Sequence, residues 1–340
     1  MKTVSEQGYH ACFASKTKEE KDQDDKTYKK YEELMSTLPK KRVTEDDYDQ
    51  HQYQGFWYHP DILKGTMAAQ NHYQSQQTDI LLATMPKSGT TWLKALIFAI
   101  KNRKVNPTDM LLTLNSHELM PFLEARLYAN DLIPDLSVLP TPRLLATHIP
   151  YHSLPQSIVD SGCKIVYLCR NPKDNFVSLW HFRNKLRAAI KKTPIPIDKE
   201  FESFCEGWSA YGSFWEHVLE YWRVSLENPN RVLFLMFEEM KADPPAQLKK
   251  LADFLECPFS QEEQNKGVVD EILGLCSFTN MKNLEVNKSG TSWLGFTNSA
   301  FFRKGRVGNW VSDLTPEMIE RIDKITEEKL QGSGLRFQLN

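Results

Sequence analysis

Residues 79–85 (DILLATM) form a short apolar run that stops at Pro86, and the chain then passes through KSGTT straight into a helical stretch over 90–102. A brief apolar run closed by proline reads as a buried strand, and a strand entering a helix through a tight loop reads as the opening of a parallel α/β layer. The same alternation continues. Residues 143–148 (RLLATH), 164–170 (KIVYLCR) and 232–237 (VLFLMF) are three more buried-strand candidates. Helices are expected over 172–186, with Pro172 in the first turn where a missing N–H costs nothing, over the aromatic-rich 202–226, and over 248–256. The expected fold class is therefore α/β, a central parallel sheet flanked by helices. No Pro/Gly/Ser-rich linker divides residues 46–340, which predicts a single domain. Residues 1–45 are polar, rich in Lys and Glu and poor in large aliphatics, and are expected as a mobile N-terminal tail with a short helix over 28–38.

Charge limits the functions open to such a chain. Its 340 residues carry a formal net charge of −2, so there is no global basic field for nucleic acid, and any anion must be held by a local site. The N-terminal stretch has no apolar core of a secretory signal, and no run approaches the roughly 18–20 apolar residues that span a bilayer. The six cysteines (Cys12, Cys163, Cys169, Cys205, Cys257, Cys276) show neither a CxxC pair nor metal-ligand spacing. They read as reduced thiols of a cytoplasmic protein without a metal or membrane partner.

In open parallel sheets ligands bind beyond the carboxyl ends of the strands. The sequence there is TMPKSGTTWLKAL (84–96), which places Lys87, Ser88, Gly89, Thr90 and Thr91 between strand and helix. Gly89 allows close backbone approach, the hydroxyls and consecutive N–H groups suit an anion, and Lys87 adds a point charge. A plain helix cap would need one hydroxyl rather than three. The loop is not GxxxxGK[ST], since its Lys precedes its Gly; it reads as a mononucleotide site with a rearranged, P-loop-like turn.

Three motifs in order, PKSGTTWLK (86–94), RNPKDNFVSLWHF (170–182) and FRKGRVGNW (302–310), resemble those of the cytosolic sulfotransferases. HELMPFLE (117–124), ATHIPYHSLP (146–155) and GSGLRF (332–337) look most like the plant soluble members, with the flavonol and hydroxyjasmonate enzymes closest in appearance. The resemblance implies a transferase that moves a sulfuryl group from PAPS, leaving PAP, to the hydroxyl of a small metabolite of secondary or hormone metabolism. It implies that Lys87, Ser88, Gly89, Thr90, Thr91 and Trp92 hold the 5′-phosphosulfate. Arg170, Ser178, Arg303, Lys304 and Gly305 would hold the 3′-phosphate, and Ser277, Phe278 and Met281 would surround the adenine with Trp92. His148 would be the catalytic base, Lys87 would meet charge on the leaving oxygen, and Ser178 would help position Lys87. Neutral imidazole has about the right basicity for that step.

The sequence departs from the family pattern at three places. Ala146 stands where animal relatives carry Lys, Phe237 stands where Tyr is common, and VSDLTPEMIE (311–320) is a degraded form of the animal dimerisation motif, which points to a monomer. Acceptor-lining candidates are residues 53–58, 117–128, Tyr151, His152, Trp180 and 289–300. A flavonol would need stacking aromatics, whereas Arg126 or a pocket His could hold the carboxylate of a hydroxyjasmonate; brassinosteroids and desulfoglucosinolates are further options. Two rival classes remain at this stage: an ATP-dependent small-molecule kinase, and a non-catalytic nucleotide or hormone binder on the same fold.

Overall fold

Four of the apolar runs become one parallel sheet, and their register sets the positions of everything that follows them. The computed structural model describes residues 11–14, 16–105, 108–292 and 295–337. Strands β4 (Ile80–Thr84), β5 (Leu144–Thr147), β6 (Lys164–Cys169) and β7 (Val232–Met236) lie in the order β5-β4-β6-β7. Ala83 pairs with Thr147, Thr84 with Leu168 and Cys169 with Met236, so all four strands finish on one edge. The residues just beyond that edge are the Lys87 loop, His148, Arg170 and Phe237.

Side chains alternate across the sheet, as the period of two requires. Leu81, Ala83, Leu145, Ile165 and Tyr167 face a core that includes Trp215, Val218 and Tyr221. Ile80, Leu82, Ala146, Val166 and Leu168 face the opposite core, with Leu93, Leu96, Ile97 and Ile100. Helix α3 (Thr90–Asn102) spans the residues expected of it, and α4 (Pro172–Ala189) runs three residues longer than the 172–186 expectation.

Two expectations change, and one small sheet is added. The segment 1–45, expected as a mobile polar tail, carries helix α1 (Lys18–Ser36) where it is described, ten residues longer at its start than the 28–38 helix. Its apolar face is too sparse to be seen as a stripe, but Tyr28 is buried and donates from its hydroxyl to the Tyr128 carbonyl at 2.8 Å, while Asp24 accepts the Ile133 N–H at 3.0 Å. Next, a small antiparallel sheet of β1 (Lys40–Lys41), β2 (Gln50–Tyr53) and β3 (Phe56–Tyr58) precedes α2 (Pro60–His72). Gln54 and Gly55, both at positive φ, make the tight turn between β2 and β3. Finally, the single helix expected over 202–226 is two, Ile197–Cys205 and α5 (Phe214–Glu227), interrupted where Gly207 and Tyr211 take positive φ.

A π-turn at Leu123–Leu127 packs against α2 and carries Glu124 inward. The approach is close enough to demand glycine on the facing helix: a Cβ at Gly65 would lie 2.0 Å from the Glu124 carbonyl oxygen. Gly65→Ala should therefore force the backbones apart and cost about 1–3 kcal/mol, as overpacking does. Urea unfolding read by fluorescence measures this, and an unchanged midpoint would show that α2 and the π-turn can slide without loss.

Candidate active site

Beyond the strand ends lies a cavity of about 620 Å³. One half is built on cations. Lys87 follows β4 at φ 71°, with its ammonium 3.9 Å from the centre of the Phe182 ring. Arg170, immediately after β6, stacks its guanidinium 4.6 Å from the Phe237 ring centre and donates from Nη2 to the Arg306 carbonyl at 2.7 Å. Arg170 Nε and Arg303 Nη1 are buried and, among the described residues, have no hydrogen-bond partner. Such orphaned donors are costly unless an anion satisfies them. Burial, with Arg170 and Arg303 next in weight, lowers the Lys87 ammonium to about 7.

Two glycines shape this half. A Cβ at Gly89 (φ 109°) would strike the Phe237 ring at 2.8 Å, and one at Gly305 (φ 62°) the Phe278 ring at 2.4 Å. Asp174 on α4 pins the loop after Gly305 by accepting the Gly308 and Asn309 N–H groups at 2.8 and 2.9 Å. Orphaned cationic donors beside glycine-built walls fit a nucleotide with two anionic ends.

His148 occupies the junction with the other half. Its Nδ1 lies 2.6 Å from the Thr84 carbonyl oxygen, which can only accept, so Nδ1 carries the hydrogen and Nε2 keeps a lone pair. The backbone is held as firmly as the ring. Glu124 accepts the His148 N–H at 2.8 Å, and His217 Nε2 donates to the His148 carbonyl at 2.9 Å. Glu124 also accepts from Thr147 Oγ1 (2.9 Å) and from Tyr211 OH (3.1 Å). Burial is the main cause that lowers His148 to about 3, so its ring is neutral at physiological pH.

The remaining wall comes from Asp47, Tyr48, Gln50, His59, Phe122 and Tyr211, with Phe182, Arg183, Leu186 and Phe301. It is largely apolar, and its one arginine is committed: Arg183 meets Glu200 through Nη1 at 2.5 Å and Asp47 through Nη2 at 2.8 Å. Beneath the floor, Lys94 is fully buried with its ammonium 3.1 Å from His117 Nδ1 and 3.3 Å from the Phe122 ring centre.

Against this frame stand the comparisons with known proteins. The family model for the sulfotransferase domain matches residues 77–334. Cytosolic sulfotransferase 15 of Arabidopsis thaliana is 47% identical over 91% of this chain and 88% of its own length. Cytosolic sulfotransferase 8 of the same plant is 50% identical over 84% of this chain and 87% of its own. A crystal structure of an Arabidopsis thaliana candidate steroid sulphotransferase superposes with a TM-score of 0.71 at 43% identity, covering 90% of this chain and 94% of that one. Mouse sulfotransferase SULT7A1 complexed with PAP gives 0.63 at 28% identity, covering 84% and 95%.

The chain belongs to the sulfotransferase family. It is a PAPS-dependent sulfotransferase that transfers a sulfuryl group to a small-molecule acceptor. Its relatives are cytosolic plant proteins by name, and among the described residues no helix is long and apolar enough to cross a membrane.

The sulfotransferase's cavity gathers most of the residues singled out from sequence. Lys87, Gly89, Thr90, Thr91, Trp92, His148, Arg170, Ser178, Ser277, Phe278, Met281, Arg303, Lys304 and Gly305 all line it. Ser88 does not: it is fully buried behind the loop, where its hydroxyl accepts from Asn175 Nδ2 at 3.1 Å. Of the acceptor candidates, only His117, Phe122 and Ala125 reach the wall. Residues 53–58, Tyr151, His152, Trp180 and the described part of 289–300 lie off it, as does Arg126; Trp293 and Leu294 fall outside the described residues. Phe56–Tyr58 are buried as packing instead. Tyr211, Gln50 and His59 were not singled out, and Glu124, one of the 117–128 candidates, holds the His148 backbone instead of lining the wall.

The lowered Lys87 ammonium has a measurable consequence. It is charged below about 7 and neutral above, while phosphate groups are fully ionised by then, so affinity for PAP should fall as pH rises from 7 to 9. The limit is about tenfold per pH unit for one linked proton. Calorimetric titration of PAP checks this, and Lys87→Met should flatten the profile.

Proposed function

We propose that His148 is the general base of sulfuryl transfer, that Lys87 stabilises the leaving oxygen, and that the acceptor is a hydroxyl of a small, largely apolar plant metabolite. Among the classes raised by the sequence, flavonol or hydroxyjasmonate stands ahead of brassinosteroid or desulfoglucosinolate. One observation carries the reading: the Thr84 carbonyl holds His148 Nδ1–H, which leaves the Nε2 lone pair in the cavity that also contains Lys87.

PAPS supplies the electrophilic sulfuryl group when bound. His148 Nε2 takes the hydroxyl proton as the acceptor oxygen bonds to sulfur, and Lys87 offers an ammonium to the bridging oxygen whose bond to sulfur breaks. Arg170, Arg303, Lys304 and Ser178 hold the phosphate that does not react, with Thr90, Thr91 and the Gly89 N–H on the reacting end. Trp92, Phe278, Ser277 and Met281 form the slot for the base. Imidazolium formed on His148 stays in place because Glu124 and His217 hold its backbone.

His148→Ala should lower kcat by about 10²–10⁴, the usual worth of a positioned base, and leave PAP affinity within about twofold. Lys87→Ala should impair both. Single-turnover assays with labelled PAPS and PAP titration read the two quantities, and retention of most of kcat in His148→Ala would remove His148 from the base role.

The chain is further proposed to act as a monomer. In the degraded motif Thr315 caps the last helix (Pro316–Leu330) by accepting the Met318 N–H at 3.3 Å, and Pro316 takes the first turn, so both residues serve the helix start. Sedimentation should show one species of single-chain mass; a species of twice that mass would overturn the proposal.

A further inference from the structure

Lys94, fully buried beneath the cavity floor, has no part in the chemistry of His148 and Lys87, yet it is hydrogen-bonded to a residue of the cavity wall. Lys94 and Thr91 lie one turn apart on the same face of α3, and the His117 ring bridges them. The Lys94 ammonium is 3.1 Å from Nδ1, and the Thr91 hydroxyl oxygen is 3.0 Å from Nε2. The ring is clamped in that orientation. Asn115 Oδ1 accepts the His117 N–H at 2.9 Å, and Asn115 is itself tied to Asn287 at 2.7 Å. Phe122 stacks on the imidazole at 5.4 Å between ring centres, and Phe301 packs against it at 4.3 Å.

Burial, then the charges of Lys94, His148 and Lys87, hold His117 well below its usual range, so its imidazole is neutral and carries one hydrogen. Which nitrogen carries it sets the direction of the chain. An ammonium can only donate, so Lys94 gives a hydrogen to Nδ1 and Nε2–H gives one to Thr91 Oγ1. Thr91 then keeps its own hydrogen for a third partner. In the opposite direction a neutral amine accepts from Nδ1–H, Nε2 accepts from Thr91, and Thr91 offers only lone pairs. Burial holds the Lys94 ammonium well below the usual lysine range while Glu124 opposes this, so the two directions compete. Negative charge at Thr91 selects the first.

Thr91 lines the cavity and is partly exposed, and His117 is the one hydrogen-bond partner of its hydroxyl among the described residues. Lys94 has no exposed surface, so as a hydrogen-bond donor it reaches a bound molecule only through His117.

We propose that Lys94 and His117 are positioning residues for the donor nucleotide: through them the Thr91 hydroxyl hydrogen is aimed at the reacting 5′ anionic end of PAPS. This rests on the reading that the Lys87 loop holds that end.

Two nucleotides test it: PAP, which carries a 5′-phosphate, and adenosine 3′-phosphate, which lacks one. Lys94→Met should weaken PAP binding by about tenfold, the worth of a charge-assisted hydrogen bond, and leave adenosine 3′-phosphate within about twofold. The second measurement also shows that the variant is folded. Thr91→Val should lose as much for PAP, and adding Lys94→Met to it should lose nothing more, because both remove one contact. Nitrogen NMR of the histidine-labelled wild-type enzyme with PAP should show His117 protonated on Nε2; an Nδ1–H tautomer would overturn the proposal whether or not a variant folds. Equal losses for both nucleotides in Lys94→Met, or additive losses in the double variant, would also overturn it, leaving Lys94 a packing role. Equal wild-type affinity for PAP and adenosine 3′-phosphate would instead overturn the underlying placement of the 5′ end, and this proposal with it.

Discussion

A single backbone carbonyl, that of Thr84, decides which nitrogen of His148 keeps a lone pair. Because a carbonyl oxygen has no hydrogen to give, the ring must present its proton to it and its lone pair elsewhere. The contact exists only because β4 and β5 run parallel and side by side, with Ala83 opposite Thr147, so that the last residue of one strand meets the first residue beyond the other. Sheet register thus fixes the tautomer of one imidazole in one step. Burial lowers the ring to about 3, with the ammoniums of Lys94 and Lys87 contributing.

The cationic half of the cavity follows the opposite logic. His148 has its ring Nδ1 and its backbone satisfied, whereas Arg170 and Arg303 each keep one buried nitrogen without a partner among the described residues. Repulsion among Lys87, Arg170 and Arg303 lowers the Lys87 ammonium beyond what burial alone does. Asp174 relieves part of this at 3.5 Å from Arg170 while using its oxygens on the Gly308 and Asn309 N–H groups. One carboxylate therefore sets both the charge and the shape of the loop. Phe237 adds a flat ring that meets Arg170, Trp92 and the space a Gly89 side chain would need. Where Tyr is common in the family, this wall is purely apolar here.

The sheet, and the loop and strand-end residues that line the cavity beyond it, were legible because each is written locally. An apolar run closed by Pro86 is a strand by composition alone, and K-S-G-T-T after it has few other uses. The acceptor wall was not legible, since it is assembled from β2, α2, the π-turn, α4 and the break before α5, whose contacts depend on distant packing. Residues 53–58 looked right for it, being aromatic, but their side chains went to the core; Gln50, three residues earlier and unremarkable in sequence, reached the cavity. Helix α1 was hidden for a related reason. It docks through Tyr28, Met35 and the polar Asp24, too few apolar positions to stand out among lysines and glutamates.

Three backbone irregularities lie around His148. A helix-forming pattern over 202–226 breaks so that Tyr211, at φ 64°, can reach Glu124. A helical pattern at Leu123–Leu127 widens to a π-turn that carries Glu124 to the His148 N–H. Lys87 takes φ 71° in a loop where an extended residue would have been unstrained. Non-glycine residues at positive φ cost about 1–3 kcal/mol each, and persist only where surrounding contacts hold them. For Tyr211 that contact is the Glu124 carboxylate, which accepts three hydrogen bonds while burial raises its pKa, and Gly65 lets the π-turn that carries Glu124 sit against α2. The carboxylate that holds Tyr211 in this conformation also holds the His148 backbone, so one group fixes both.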